Sequence, residues 1–167
     1  MNIPSTLIIG YGNPDRQDDG VAWHVLALLA EHFGYPKPDD GEVEFFPAGQ
    51  NPDLLFSLQL TPEMVETISR YDRVLFIDAH TGEIAQEINI ERLESRFQTS
   101  PLTHHLTPQT LLSLVSTLYQ KDPQAILVSI RGFEFEFSHD LSPQTAALAP
   151  KAAGLIEDWW DRPDYVK

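Results

Sequence analysis

The sequence predicts an α/β domain of three layers, with one sheet covered by helices on both faces. Three observations carry this. Segments of strand and helix character alternate along the chain. The strand segments Thr6-Leu7-Ile8-Ile9, Val74-Leu75-Phe76-Ile77 and Ala125-Ile126-Leu127-Val128-Ser129-Ile130 are almost unbroken apolar runs. A sheet wetted on one side would alternate apolar with polar, whereas a solid run needs cover on both faces. The length, 167 residues, suits one domain over residues 1–167, large enough to bury a core without disulfides or a structural metal.

Thr6 to Ile9 reads as a buried first strand ended by Gly10. Val21 to Phe33 reads as a helix, since Val21, Val25, Leu28 and Leu29 recur at helical spacing and Gly34 stands just past the end. Tyr35 to Gly41 is a loop rich in proline and aspartate, and Val43 to Phe46 reads as a second strand. Leu54 to Leu60 and Pro62 to Ser69 both read as helical, with Thr61 as N-cap of the second piece. Val74 to Ile77 is a buried strand running straight into Asp78, and Gln86 to Ile90 alternates as an edge strand would. Thr107 caps, and Pro108 begins, a helix to about Tyr119. Ala125 to Ile130 is the fifth strand. Ser142-Pro143 opens a last helix ending near Trp160, with Pro150 placed to kink or restart it.

Composition removes several function classes. Eleven basic against 25 acidic residues give a net charge of −14. Nucleic acid and anionic membrane surfaces both require an excess of Lys and Arg, so neither is an expected partner. Cysteine is absent, which excludes thiol catalysis, cysteine zinc sites and iron–sulfur ligation and fits a reducing interior. No segment approaches the roughly 18 consecutive apolar residues of a membrane helix. Residues Met1 to Ser5 carry neither a basic charge nor an apolar stretch, so a secretory leader is not expected and the expected location is cytoplasmic.

In three-layer α/β domains, ligands gather at the carboxyl ends of the strands. The loop after the first strand is Gly10-Tyr11-Gly12-Asn13-Pro14-Asp15-Arg16-Gln17-Asp18-Asp19-Gly20. A dinucleotide fingerprint would need its third glycine at Asp15, and Asp18-Asp19 would repel a pyrophosphate from the next helix. Capping of that helix is one reading of Asp18, a functional carboxylate the other; if Asp18 caps, Asp19 is left near the strand ends without a structural task. Asp78 directly follows four apolar residues, where a carboxylate is costly to desolvate. It is either a loop anchor or a metal ligand or acid/base. Thr103-His104-His105-Leu106 sets two imidazoles just ahead of a helix, one of which can face a site there. His80, two residues from Asp78, is a candidate to support it, while His24 and His32 fall on the first helix and His139 in a polar loop. There is no H-E-x-x-H helix and no G-x-S-x-G elbow.

These segments together resemble the maturation endopeptidases of nickel–iron hydrogenases. The matching stretches are Ile8-Ile9-Gly10-Tyr11-Gly12-Asn13 with Arg16 and Asp18-Asp19-Gly20, then Phe76-Ile77-Asp78-Ala79, Thr103-His104-His105-Leu106, Ser129-Ile130-Arg131-Gly132 and Leu141-Ser142-Pro143. The resemblance covers essentially the whole chain in order. It implies a five-stranded, mostly parallel sheet with one antiparallel edge strand, for which Gln86 to Ile90 is the candidate. It implies removal of a short C-terminal extension from a hydrogenase large-subunit precursor after nickel insertion. It also implies three metal-binding positions, which by residue matching are Asp19, Asp78 and His104, with Gly12, Asn13, Asp18, Gly20 and His105 in the surrounding loops. Two departures matter: Asp19 stands where relatives often have Glu, and His105 where Gln is common. The ligand is therefore His104 or His105, and register from Leu106 favours His104.

Two carboxylates and an imidazole form an open donor set for a divalent first-row ion. Such a set holds metal weakly by itself, so the implied nickel belongs to the precursor, whose own thiolates carry it. Asp19 or Asp78 is then the carboxylate that positions or deprotonates the attacking water, and the protein is expected to work as a monomer. Two other classes use the same residues: a self-sufficient metal-dependent amidohydrolase, and a non-catalytic metal-dependent protein that holds a precursor without cutting it.

Overall fold

The computed structural model describes residues 3–36, 45–95 and 106–162. Strand β1 (Thr6–Tyr11) sends successive side chains to opposite faces, Leu7 and Ile9 into one apolar cluster and Ile8 into another, all with no exposed surface. Strand β3 (Arg73–His80) does the same, with Val74 and Phe76 on one face and Leu75 and Ile77 on the other. Each such fully buried side chain contributes about 1.5–3 kcal/mol. With β2 (Asp53–Ser57), β4 (Ile88–Leu93) and β5 (Gln124–Arg131), these strands form one sheet in the order β2-β1-β3-β5-β4. All neighbours pair parallel except β4, which runs antiparallel to β5 at the edge.

Helices α1 (Val21–Phe33) and α4 (Pro143–Asp161) pack on each other over the face that holds Ile8 and Ile77. Helices α2 (Met64–Ile68) and α3 (Pro108–Tyr119) cover the face that holds Ile9 and Phe76. Thr107 caps α3, its side chain accepting from Thr110 N at 3.2 Å, and Ser142 caps α4, accepting from Thr145 N at 3.3 Å. Each cap is worth about 1 kcal/mol. Helix α4 carries Pro150 inside it without interruption. Its last turn is tied to the sheet by buried Arg73, whose guanidinium lies 3.6 Å over the Trp159 ring and donates to the Trp159 carbonyl at 3.0 Å.

Four expectations are corrected. Residues 54–60 do not form a helix; Asp53–Ser57 is β2, paired in register with β1 so that Leu54 lies beside Ile8. Pairing and burial of Leu54 and Phe56 override the helix propensity of leucine. Asp53 fixes the start of this strand, accepting from Ala48 N at 3.0 Å, Gln50 N at 2.9 Å and Tyr71 Oη at 2.7 Å. The strand expected at Val43 to Phe46 falls partly outside the described residues, and Phe45 and Phe46 lie in irregular backbone. Thr61 does not cap α2 with its side chain; its carbonyl accepts from Met64 N, and the residue flanking the helix is Glu63. The edge strand is found two residues further on than expected at its start, at Ile88.

Candidate active site

The order of the sheet creates a crevice. From β1 the chain goes outward to β2, then returns past β1 to β3, so β1 and β3 flank the point where connections diverge. Ligands of parallel sheets bind at that point, beyond the carboxyl ends of the strands. Gly10 and Ile77 are register partners, which sets the next residues, Tyr11 and Asp78, side by side at the mouth. Tyr11 Oη donates to Asp78 Oδ2 at 2.9 Å.

The Asp78 carboxyl is enclosed, and burial pushes it up to about 6. The Tyr11 hydroxyl, the nearby Ser129 hydroxyl and His80 counter part of that push, while Glu83 adds to it. Among the described residues no donor meets hydrogen-bond geometry at its buried Oδ1; the hydroxyl of Ser129, its register partner on β5, acts on the carboxyl from close by without meeting that geometry. Burial, reinforced by the Asp78 charge, pushes the Tyr11 phenol far up, so it remains a donor. His80 is spent on its own loop: Gly82 N donates to Nδ1 at 3.2 Å, which leaves Nε2 to donate to the Gln86 carbonyl at 2.9 Å.

The loop after β1 folds back on itself. Asp19 Oδ2 accepts from Asn13 N at 2.8 Å, and Asn13 Oδ1 accepts from Asp15 N at 3.0 Å. Asp19 thus has the structural task the sequence did not give it. Gly12, at φ 140°, lies so close to the Asp19 backbone carbonyl that a β-carbon would collide with it. Gly20 packs on Pro14 in the same way. The 3-10 turn Gln17–Gly20 that bears Asp19 packs against β3, the strand that bears Asp78.

Of the two readings of Asp18, capping of the helix after it is not realised: its side chain makes no cap hydrogen bond there. Asp18 is fully buried and reaches the loop after β5. Its Oδ2 accepts from Phe133 N at 2.8 Å, Glu134 N at 2.9 Å and Ser142 Oγ at 2.6 Å, and its Oδ1 from Ser142 N at 2.8 Å. Burial pushes its carboxyl up, but the Ser142 hydroxyl and the three backbone N–H donors outweigh that and hold it below the usual range.

His104 and His105 lie outside the described residues. Leu106, the next residue, packs against the cluster on the face shared by Tyr11. Among the described residues no three His, Asp or Glu side chains group to hold an ion. The two carboxylates present suit a divalent cation as far as they go: they are hard oxygen donors, and one has a buried oxygen with no donor to it. His24 and His32 are on α1, and His139 pairs with Asp15 at 3.3 Å. The sequence shows Tyr11 in the first loop and Ser142 at the start of α4, but not the Tyr11–Asp78 or Ser142–Asp18 bonds, which strand pairing and long-range folding create.

The chain matches no family model and no curated protein. It does match solved structures along nearly its whole length. A [NiFe] hydrogenase maturation protease HycI from Thermococcus kodakarensis is 21% identical, with 94% of this chain and 92% of that chain covered and a TM-score of 0.65. The hydrogenase maturating endopeptidase HybD from Escherichia coli is 14% identical, with 96% and 94% covered and a TM-score of 0.68. A HybD from Thermococcus kodakarensis is 18% identical, with 92% and 97% covered and a TM-score of 0.64. The fold is that of the hydrogenase maturation proteases. Its five-stranded sheet with one antiparallel edge strand is the arrangement the resemblance implied. Among the described residues no helix is long and apolar enough to cross a membrane.

Proposed function

We propose that this protein is an endopeptidase that removes the C-terminal extension of a nickel–iron hydrogenase large-subunit precursor once nickel is in place. The observation that carries the reading is the buried, unpartnered Asp78 Oδ1 at the β1/β3 mouth, beside the turn that holds Asp19, in a fold shared along its length with maturation proteases. The nickel is the precursor's own cargo. Asp19, Asp78 and one imidazole, His104 by sequence register, complete its surroundings. When present there, a divalent ion polarises the scissile carbonyl.

The remaining work falls to this chain. Asp19, held through Oδ2 by Asn13 N–H, keeps its other oxygen for the site. Asp19 takes a proton from the attacking water on that oxygen, while Asp78 Oδ1 faces the ion. The water oxygen bonds to the carbonyl carbon, the C–N bond breaks, and the proton leaves on the new amine. The protein acts as a monomer in the cytoplasm, and its acidity, −14 overall, keeps it from polyanions.

The test compares nickel-loaded and nickel-free precursor by mass spectrometry. Loaded precursor should lose its tail and empty precursor should not, and Asp19→Ala, Asp78→Ala and His104→Ala should each abolish the loss in folded protein. Prompt cutting of empty precursor would replace this reading with a self-sufficient metallohydrolase. Binding without any change of mass would leave a non-catalytic precursor holder.

A further inference from the structure

We infer that Tyr11 is a positioning residue, which engages Oδ2 of Asp78 and thereby reserves Oδ1 as the one oxygen that faces the reacting centre. The inference rests on the proposed reading of Asp78 as a site carboxylate.

A carboxylate at the end of a strand can rotate about its last bond and present either oxygen. Here the two oxygens are unlike. Oδ2 accepts from the Tyr11 hydroxyl at 2.9 Å, while Oδ1 is buried without a partner among the described residues. The difference comes from strand register. Tyr11 and Asp78 each stand one residue beyond the paired Gly10 and Ile77, so the phenol reaches across from one strand to the next. The body of Tyr11 packs against the same apolar cluster as Ile9 and Phe76, which holds the ring in place. A donor fixed in this way orients a ligating carboxylate, and loss of such partners typically costs about 10–100-fold in metal affinity or activity.

Tyr11→Phe tests this, because it deletes one oxygen and keeps the ring. The full chain would be measured three ways: thermal melting, kcat and KM on nickel-loaded precursor, and titration with millimolar Cd2+ followed by the carboxyl resonance of Asp78 in 13C-aspartate-labelled protein, identified by its loss in Asp78→Asn. The variant should melt with the wild type, lose about tenfold in kcat with KM unchanged, and bind Cd2+ about tenfold more weakly. Unchanged kcat and Cd2+ affinity would reduce Tyr11 to packing and overturn the inference. A fall in kcat without a change at the Asp78 resonance would overturn it too, since Tyr11 would then act elsewhere. Absence of any Cd2+ response in the wild type also counts against it. Wild type that fails to cut precursor but shows the Cd2+ difference would instead overturn the endopeptidase reading and leave the role of Tyr11 standing.

Discussion

Ser142 donates twice to Asp18, from its hydroxyl to Oδ2 at 2.6 Å and from its backbone N–H to Oδ1 at 2.8 Å. The same hydroxyl oxygen accepts from Thr145 N at the start of α4. One buried carboxylate therefore fixes the floor of the Asp19 loop and the origin of the last helix together. It also ties both to the backbone of Phe133 and Glu134.

Asp18→Ala should accordingly cost stability. It strands the Ser142 hydroxyl and three backbone N–H groups, at about 1–3 kcal/mol for each that stays buried and unpaired. With partial access of water, the expected loss is on the order of 3 kcal/mol, or about 10 °C in Tm for a domain of this size. Asp18→Asn should be no rescue, because its amide NH2 would face the same donors. Thermal melts of both variants decide this; an Asn variant that melts with the wild type would refute it.

Asp78→Asn should have the opposite sign. Burial raises this carboxyl to about 6, so the folded state binds its proton more readily than the unfolded chain does. Stability from this group is full below the ordinary carboxylate range and declines as pH rises toward and through 6. At neutral pH the ionised group weakens the fold, and the Asn variant should be more stable by about 1–2 kcal/mol. That gain should shrink at about pH 5, where the wild type is mostly protonated. Urea unfolding at the two pH values measures it, and precursor cleavage by the same variant should be abolished.

Gly12→Ala should remove activity and stability together. The residue sits at φ 140°, and a methyl group there meets the Asp19 carbonyl. The backbone must shift, at about 1–3 kcal/mol, and Asp19 shifts with it. Loss of cleavage with a lowered urea midpoint is expected; full activity would show that the Asp19 loop tolerates displacement.

His24 supplies a separate pH dependence. Burial holds its imidazole below the usual value, against the opposing pull of the His139 backbone and the Asp140 and Asp18 carboxylates. The unfolded chain then takes up this proton first, so stability falls as pH drops through about 6.5. His24→Gln should flatten the change in Tm between about pH 7.5 and pH 5.5. An unchanged slope would assign that region to other groups.

The sheet was legible where apolar runs were long and flanked by clear signals. Val74 to Ile77 ending in Asp78, and Thr107 and Ser142 each followed by proline, are examples. Leu54 to Leu60 was not legible, because a short leucine-rich run suits a helix and a buried strand equally and only pairing with β1 decides. The adjacent aspartates show the same limit. Sequence placed Asp18 and Asp19 in one loop, but their opposite tasks depend on partners as distant as Ser142 for the former and as near as Asn13 for the latter. Tyr11 acquires its meaning only when β1 lies beside β3.

The position of β5 between β3 and β4 also governs the order in which the chain can be built. Strand β4 is made before β5, yet its place is on the far side of β5. As the polypeptide leaves the ribosome, Ile88 to Leu93 has no strand to join until residues 124–131 have emerged and seated themselves against β3. Nascent chains halted within α3 would therefore carry an unjoined ribbon with open backbone groups, a natural target for a chaperone.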